Sequence, residues 1–339
     1  MNRGRDQIRN LRCWVMTTGE AGMRSQVIGL AESIGIPFLE KTVNLKAPWR
    51  WLPGHLAPSA LIGLNGESEP LTPPWPELLI TCGRRSVALS IAIKKASRGK
   101  TFTVHIQDPR VPPKYFDMVV PPRHDYLQGK NVHSTLGALH KVTQEKLKSA
   151  EALFRQMFAG LPRPLVSVLI GGNSKSYKLT PEIVVKIAAD LKNLADKGYG
   201  TIVTFSQRTG AENEALFRKQ LENTNIFIWD GNGENPYLGM LTLADYILVT
   251  SDSASMITEA TSTGKPVMTI DLAGGSKKFD AFHKMMREEG IIRTYSGKLE
   301  NWTYTPLNET GRIAAIVTQA LGEHAKNAEL IENNTVANS

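Results

Sequence analysis

The chain has little cysteine and no long apolar run. Cys13 and Cys82 are its only cysteines, and they do not have CxxC spacing. This argues against a disulfide scaffold or a cysteine zinc site and predicts a reducing cytoplasm as the compartment. Both thiols lie in apolar strand-like runs, so we expect them to be buried in the protein and free. No apolar segment approaches the ~20 residues of a membrane-spanning helix. A strand pattern follows the basic amino terminus where a signal peptide would have its apolar core, so export is not expected.

Several nucleotide- and metal-binding motifs are also missing. The segment GGNS at 171–174 lacks the Walker A pattern GxxxxGK[ST], and the turn TGEAGM at 18–23 is not GxGxxG. No DxD pair and no His/carboxylate cluster with metal-ligand spacing occurs. Nucleotide hydrolysis and NAD chemistry therefore lack their usual residues, and we expect no cofactor and no metal. Charge on a leaving diphosphate would have to be neutralised by arginine, lysine, hydroxyl groups and helix N-termini.

The chain does carry an excess of positive charge. Its formal net charge is +8, which favours an anionic partner such as a nucleoside diphosphate, an acidic membrane surface or nucleic acid. Nucleic acid is the least favoured of these, because no RNP-like, zinc-finger or Lys/Arg-run signature occurs. The balance of hydrophobic and charged residues is that of a globular protein, and 339 residues predict two domains.

Strand and helix patterns alternate through both halves, which predicts an α/β chain with two doubly wound parallel sheets. The predicted strands cover 12–17, 36–43, 78–82, 101–107 and 117–120, and then 165–170, 201–205, 225–229, 246–250 and 267–270. Two prolines stiffen the segment 161–164, which predicts a linker there. We therefore expect an N-terminal domain over 1–160, a C-terminal domain over 165–310, and a C-terminal helix and tail over 311–339.

An insert at 46–76 is rich in proline and carries three of the six tryptophans, interleaved with basic residues. Proline excludes a regular helix along its whole length, although a short turn or helix is expected at 58–64. A proline-stiffened surface loop packed on its own aromatic residues is the favoured interpretation. The alternative is a basic, Trp-bearing patch that touches a membrane or a lipid-linked acceptor, which would place this cytoplasmic chain at the periphery of the inner membrane.

The segment 246–271, YILVTSDSASMITEATSTGKPVMTID, predicts a strand, a serine-rich turn, a short helix and a second strand. Asp252 or Ser253 can cap the helix. Ser255 and Glu259 are four residues apart and share one face near its N-terminus. Free N–H groups and hydroxyls suit a phosphate, and a carboxylate one turn on suits a sugar hydroxyl pair, so the segment predicts a nucleotide-sugar pocket. The alternative is that the serines only cap the helix while Glu259 points at solvent.

Three more polar turns are predicted at the carboxyl ends of strands in the second half, where open α/β sheets bind ligands. They contain Gly171, Gly172, Asn173, Ser174 and Lys175, then Ser206 and Arg208, then the Gly-rich segment 229–233. The glycines permit close backbone approach, and the side chains supply donors. Four polar turns on one edge predict a ligand that carries a diphosphate, with an ordinary surface arginine as the alternative for Arg208.

Candidate residues in the first half also follow strand ends. We expect Glu20 to face a cleft between the domains and to take a proton from an acceptor hydroxyl, and the alternative is a helix-start acid stabilised by the dipole. The other candidate acceptor-side residues are Gly19, Arg24, Gln26, Arg84, Asp108 and His124. Asp108 is a second candidate base, and Arg84 with Arg85 would hold an anionic acceptor. His105, inside a strand, is expected to be packed in the core.

With these motifs the chain resembles the Elm-like family, plant mitochondrial-fission proteins and bacterial homologues of glycosyltransferase type. The segments that carry the resemblance are WVMTTGEAGMRSQVIGLAESIG at 14–35, VHIQDPR at 104–110, LIGGNSKSY at 169–177, TFSQRTG at 204–210, the long segment at 229–260 and KFDAFHKMM at 278–286. They span nearly the whole chain. The resemblance implies the GT-B fold, two Rossmann-like doubly wound parallel-sheet domains facing across a cleft.

More distantly, the chain is similar to the bacterial enzyme that adds N-acetylglucosamine to the lipid-linked peptidoglycan precursor. The similarity lies in GGNS and in the Met-x-x-Glu-Ala pattern that contains Glu259. It implies that residues 171–174 line the donor phosphates, that Ser253, Ser255 and Met256 lie near the diphosphate and base, and that Glu259 holds the ribose hydroxyls. The TGE turn also resembles that of the Kdo transferases, which implies that Glu20 is the base. TTGEAG replaces the His-bearing loop of the peptidoglycan enzyme.

These observations lead to one hypothesis and two alternatives. The hypothesis is a metal-independent glycosyltransferase that moves a sugar from a nucleotide-sugar donor, bound by the C-terminal domain, to a lipid-linked or lipopolysaccharide acceptor on the N-terminal domain. A nucleotide-sugar epimerase of the same fold is the first alternative. The second is a non-catalytic, membrane-associated scaffold related to organelle-fission proteins.

Overall fold

The computed structural model describes residues 10–52, 54–57 and 60–336. In chain order the elements are β1 (Cys13–Thr17), α1 (Ala21–Ile34), β2 (Phe38–Thr42), β3 (Leu78–Cys82), α2 (Val87–Ala96), β4 (Phe102–Ile106), β5 (Met118–Val120), α3 (Gln144–Phe154), β6 (Leu165–Ile170), β7 (Tyr177–Lys178), α4 (Pro181–Asp196), β8 (Gly200–Phe205), α5 (Ala211–Gln220), β9 (Phe227–Ile228), α6 (Tyr237–Leu243), β10 (Tyr246–Thr250), α7 (Ala254–Thr261), β11 (Val267–Ile270), β12 (Ala273–Gly274), α8 (Lys277–Glu288), β13 (Ile292–Thr294) and α9 (Glu309–Val336). None of these helices is long and apolar enough to cross a membrane.

The chain divides into two compact units, Met1–Lys141 together with Asn308–Ser339, and Val142–Leu307. The division differs from the predicted boundary at 160–165. Helix α3 packs against α6 in the second unit, and α9 returns to pack against α1 in the first. The proline pattern at 161–164 marks the loop before β6, but an amphipathic pattern alone does not reveal which sheet a helix covers.

The first unit is built on a parallel sheet with strand order β2-β1-β3-β4-β5. Val15, Ile80 and Val104 are fully buried in its core, and α9 contributes apolar side chains such as Val317 to the same cluster. The order reverses between β1 and β3. Ligands of open α/β sheets bind at such a switch point, outside the carboxyl ends of the strands.

The second unit is built on a parallel sheet with strand order β13-β11-β10-β6-β8-β9. The chain runs from β6 outward through β8 and β9, and then crosses to β10 on the other side of β6, so its switch point lies between β6 and β10. Strands β7 and β12 form a small antiparallel pair beside this edge. The strands β6, β10 and β11 have the bounds that their apolar runs predict.

The insert between β2 and β3 contains short 3-10 turns at Trp49–Trp51, Gly54–Leu56 and Ala60–Gly63. The predicted turn at 58–64 is observed over 60–63, and positions 58 and 59 lie outside the described residues. Trp49 and Trp75 pack against the core cluster that contains Trp14, and Trp75 meets Trp14 edge to face. The Trp51 side chain stays 67% exposed. The insert is therefore packed on its own aromatic residues, with one tryptophan left at the surface.

The buried thiols and the core histidine were both expected. Burial raises the pKa of Cys13 and Cys82, and the nearby Glu20 charge raises that of Cys82 further. His105 is buried on β4 with its Nδ1 atom 2.8 Å from Thr81 Oγ1, which confirms that it is a packed residue.

Acid should weaken the first unit through His105. Burial lowers the pKa of His105 to about 3, whereas an unfolded histidine titrates near 6.5. Between these values only the unfolded chain binds the proton, so this contribution to stability is present above pH 6.5 and is lost as the pH falls. We expect the free energy of unfolding to drop by about 2.5 kcal/mol between pH 7 and pH 4.5 from this group alone. Urea unfolding of the wild type and of His105→Gln at both pH values measures it, and equal pH dependence in the two proteins would contradict the assignment.

Candidate functional site

The turn between β10 and α7 contains both candidates for the cap of α7, Asp252 and Ser253. The Ser253 side chain accepts a hydrogen bond from the backbone N–H of Met256 at 3.4 Å, so Ser253 is the cap. Ser255 is half-buried on the first turn, and its hydroxyl makes no hydrogen bond within the described part of the chain. The N–H groups of Ala254 and Ser255 have no intrahelical acceptor, as at every helix start. Donors therefore remain at this helix N-terminus.

Asp252 connects three turns of the second unit. Its side chain is fully buried, and its Oδ2 atom lies 2.7 Å from Arg208 Nη2. The same oxygen accepts a hydrogen bond from Gly172 N–H at 3.0 Å, and Oδ1 accepts one from the Thr250 hydroxyl at 2.7 Å. The sequence suggested Asp252 only as a possible helix cap. In the structure it joins the ends of β6, β8 and β10.

The GGNS turn is tied into the unit by its own backbone. The N–H groups donate to Thr250 Oγ1 (from Gly171), Asp252 Oδ2 (from Gly172), Arg208 O (from Asn173) and Tyr177 O (from Ser174), at 2.7 to 3.0 Å. A Cβ atom would lie 2.1 Å from Asp252 Oδ1 at Gly171 and 2.0 Å from Arg208 O at Gly172. Both glycines are thus required by close packing. The amides of this turn are engaged within the unit, and the donors that remain for a ligand lie elsewhere.

The turn after β8 presents an anchored guanidinium. The Arg208 side chain is 41% exposed, and it pairs with the buried carboxylate of Asp252. This ion pair fixes the position of the guanidinium, which distinguishes Arg208 from an ordinary surface arginine. Ser206 Oγ accepts a hydrogen bond from Arg208 N–H at 3.2 Å. The buried Thr209 hydroxyl donates to Gly171 O at 2.6 Å and so fixes this turn against the end of β6. Arg208 therefore lies beside the switch point.

Glu259 on α7 has a partner that the sequence did not reveal. The Tyr237 hydroxyl donates a hydrogen bond to Glu259 Oε2 at 2.6 Å. Burial, and then the Glu259 charge, raise the pKa of Tyr237 well above its usual value, so the phenol stays protonated and keeps donating. Glu259 and Met256 are both half-buried. No pattern in the sequence links two residues 22 positions apart on different helices.

The Gly-rich segment after β9 closes on itself. The Trp229 indole donates to Asn232 O at 3.3 Å, and Asn232 N–H donates to Asp230 Oδ1 at 2.9 Å. Residues 230–234 are exposed.

In the first unit Glu20 is exposed at the end of β1. It occupies the position before α1 without capping it, and its carboxylate accepts a hydrogen bond from the Thr18 hydroxyl. Helix α1 begins at Ala21, directly after this turn. Gly19, with φ +94°, donates its N–H to the Thr17 hydroxyl oxygen at 3.1 Å.

Two candidate acceptor-side residues already have hydrogen-bond partners within the first unit. Arg24 forms a two-bond ion pair with Glu40, with Nη2 to Oε2 at 2.9 Å, and this hydrogen bonding lowers the pKa of Glu40. Gln26 is buried and donates to Gly22 O at 3.2 Å. The Arg24 ion pair joins α1 to β2, whereas the Gln26 hydrogen bond lies within α1.

The remaining candidates follow the next strands. Asp108, after β4, pairs with Arg110 at 3.1 Å and also accepts its backbone N–H. His124, after β5, is half-buried. Arg84 and Arg85 follow β3 and are exposed, and neither forms an ion pair with any described residue. Glu20 and Arg84 thus lie after the two strands that flank the switch point of the first sheet.

Most of the candidate donor-binding residues lie together in the second unit. The second unit gathers at its switch point Gly171, Gly172, Asn173, Ser174, Ser206, Arg208, Ser253 and Ser255, with Met256 and Glu259 farther along α7. Within residues 10–52, 54–57 and 60–336, no group of three or more His, Cys, Asp and Glu side chains could hold a metal ion.

Two Rossmann-like units with parallel sheets define the GT-B fold class, as the sequence predicted. The structure resembles UDP-GlcNAc 2-epimerase from Methanocaldococcus jannaschii, solved with UDP-GlcNAc and UDP, with a TM-score of 0.52, 15% identity and coverage of 91% of this chain and 99% of that one. It also resembles MurG from Acinetobacter baumannii, with a TM-score of 0.49, 13% identity and coverage of 94% of both chains. At such identities the likeness concerns the fold alone.

The chain belongs to the mitochondrial fission ELM1 family, whose family model matches residues 21–321. The mitochondrial fission protein ELM1 of Arabidopsis thaliana is 32% identical over 273 residues, which cover 73% of this chain and 64% of that protein. The chain thus spans less than two thirds of the length of this relative. The resemblance seen in the sequence is confirmed.

Proposed function

We propose that the second unit binds a nucleotide-activated sugar and that the chain transfers the sugar to an acceptor without a metal ion. The observation that carries the proposal is the set of donors at the switch point between β6 and β10. It comprises the N–H groups at the start of α7, the Ser255 hydroxyl and the half-exposed guanidinium of Arg208. Such donors suit the charge that develops on a leaving diphosphate.

Asp252 makes Arg208 a preorganised donor. Its carboxylate holds the guanidinium in place before a ligand arrives, so less side-chain entropy is lost on binding. The same carboxylate offsets the arginine charge. The helix amides and exposed Lys175 in the neighbouring turn would then supply the remaining attraction for phosphate.

Glu259 is our candidate for the ribose hydroxyls. It lies one helical turn from Ser255, where a nucleoside attached to the diphosphate would extend. Tyr237 fixes the orientation of its carboxylate through the 2.6 Å hydrogen bond. A fixed carboxylate accepts hydrogen bonds from a diol without first losing rotamer freedom.

Glu20 is our candidate for the general base. It is an exposed carboxylate at the carboxyl end of β1, on the unit that we propose binds the acceptor. A lipid-linked or lipopolysaccharide acceptor and peripheral association with a membrane remain part of this proposal. Arg24 would act indirectly, because its ion pair with Glu40 joins α1 to β2, and Gln26 would act indirectly because it is buried and bonds within α1.

The family offers a second candidate function. The Arabidopsis relative is named for mitochondrial fission, which favours a scaffold that keeps the fold without catalysis. A scaffold of this kind would bind no nucleotide sugar. The epimerase alternative is tested separately. An epimerase converts the sugar of the donor with no acceptor present, so incubation with the donor alone separates transfer from epimerisation.

Separate substitutions should divide binding from chemistry. We expect Glu259→Ala to weaken binding of a nucleotide sugar by about tenfold or more, because a charge-assisted contact is lost. Glu20→Gln should leave binding unchanged and lower turnover by about 100-fold or more, as loss of a general base does. Calorimetry measures the first effect and product formation the second.

Glu222→Ala, an exposed carboxylate of the second unit, is the matched control and should change neither quantity. The reverse pattern, with binding lost in Glu20→Gln and turnover alone lost in Glu259→Ala, would overturn the roles assigned to the two carboxylates.

A further inference from the structure

We propose that a cavity in the first unit binds a phosphate group that is attached to an apolar chain. The cavity has a volume of about 460 Å³ and lies where the insert meets the ends of β3 and β4. Its cationic lining is Arg84, Arg85 and Arg110, and its apolar lining includes Trp49, Trp51 and Leu52. The proposal that this cavity binds such a ligand depends only on the geometry of the cavity. The additional proposal that the ligand is the sugar acceptor rests on the proposed function.

The cationic side has more positive charge than its surroundings neutralise. Arg110 pairs with Asp108 at 3.1 Å, whereas Arg84 and Arg85 form no ion pair with the described residues. Adjacent guanidinium groups match phosphate oxygens through paired N–H donors. The cavity therefore presents two unneutralised cations to one anionic group, beside the carboxyl end of β3.

The apolar side is held in place without a ligand. A Cβ atom at Gly54 would lie 2.4 Å from Val87 Cγ1, and one at Gly63 would lie 2.6 Å from Trp49 Cγ. These contacts seat the insert on α2 and on itself. Trp51 nevertheless remains 67% exposed and Leu52 38% exposed. A fixed wall that leaves large apolar side chains in water gains by covering them with an apolar group.

The apolar surface continues beyond the first cavity. A second cavity of about 720 Å³ lies on the same insert and shares Gly54 and Ala88 with the first. Leu56 lines it and is 61% exposed. The continuity favours an extended apolar chain joined to the phosphate over a free anion, because a free anion would leave this surface uncovered.

The test uses the whole 339-residue chain and farnesyl diphosphate as a soluble probe, with inorganic pyrophosphate and farnesol as its two halves. We expect each half to bind at least about tenfold more weakly than the whole, since each loses one set of contacts. The double variant Arg84→Gln/Arg85→Gln should bind farnesyl diphosphate about 30-fold more weakly than the wild type, and Trp51→Ala should bind it about fivefold more weakly. All of these side chains are exposed, so the variants should keep the wild-type thermal unfolding.

Lys148→Gln/Lys298→Gln removes two exposed charges from the second unit and is the matched control. A loss of affinity as large as in the arginine variant would show general charge attraction and overturn the site. Vesicles of phosphatidylcholine with and without phosphatidylglycerol identify the source of the phosphate. Binding to the anionic vesicles that the arginine variant loses supports a membrane headgroup as the ligand.

Binding of the soluble probe alone supports a dispersed phosphorylated amphiphile. No binding of probe or vesicles by the wild type would refute the proposal. Nucleotide binding by the second unit is measured on the same variants and should be unchanged, so that failure of this site and failure of the proposed transferase are distinguished.

Discussion

Replacing Asp252 with alanine should destabilise the second unit by about 3 to 5 kcal/mol. The substitution removes a fully buried carboxylate that accepts from Gly172 N–H and from the Thr250 hydroxyl and pairs with Arg208. Both hydrogen-bond donors would be left without their acceptor in a buried turn. The ion pair adds less, because the arginine is half-exposed and solvent screens it.

Hydrogen exchange of the segments 165–178 and 246–259 measures this effect where it arises and separates it from unfolding of the first unit. Asp271→Ala removes an exposed carboxylate at the end of the neighbouring strand β11 and is the control. We expect strong loss of protection in Asp252→Ala and almost none in Asp271→Ala. Equal protection in both variants would show that the Asp252 contacts do not hold the three turns together.

Gly172→Ala should destabilise the same unit by about 3 kcal/mol. The added Cβ would lie 2.0 Å from Arg208 O and 2.5 Å from Thr209 N, and these are backbone atoms that no rotamer change can move. The strain would also break the hydrogen bond from Asn173 N–H to Arg208 O. Because Arg208 moves with this turn, binding of a nucleotide sugar should fall together with stability.

Gly160→Ala is the matched control, since a Cβ there would meet no atom within 4 Å. Chemical unfolding and nucleotide titration of both variants test the prediction. A Gly172→Ala protein as stable as Gly160→Ala would mean that the turns after β6 and β8 are farther apart than the structure places them.

The parts of the fold that depend on local pattern were predictable from the sequence. The apolar runs give the bounds of β3, β6, β10 and β11, and Thr180 with Pro181 marks the start of α4, where the threonine caps Ile183 N–H. Each of these signals involves residues within a few positions of each other. Short-range sterics and hydrogen bonds decide them, so they can be recognised without the tertiary structure.

The tertiary contacts of the site residues could not be predicted from the sequence in the same way. The glycines at 171 and 172 suggest close approach of a ligand phosphate, but their neighbours are Asp252 and Arg208, far away in the chain. The Tyr237–Glu259 hydrogen bond and the return of α9 to α1 are likewise tertiary. A sequence pattern shows that a backbone must be approached closely and does not show by what.

The most direct test of the account is calorimetric titration of the whole 339-residue chain with UDP-, GDP- and CMP-sugars. We predict saturable binding of one of these classes at one site, weakened in Arg208→Gln and in Glu259→Ala and unchanged in Glu222→Ala. The absence of binding by every member of the panel, with the protein shown to be folded, would contradict the claim that the α7 N-terminus and Arg208 receive a nucleotide diphosphate.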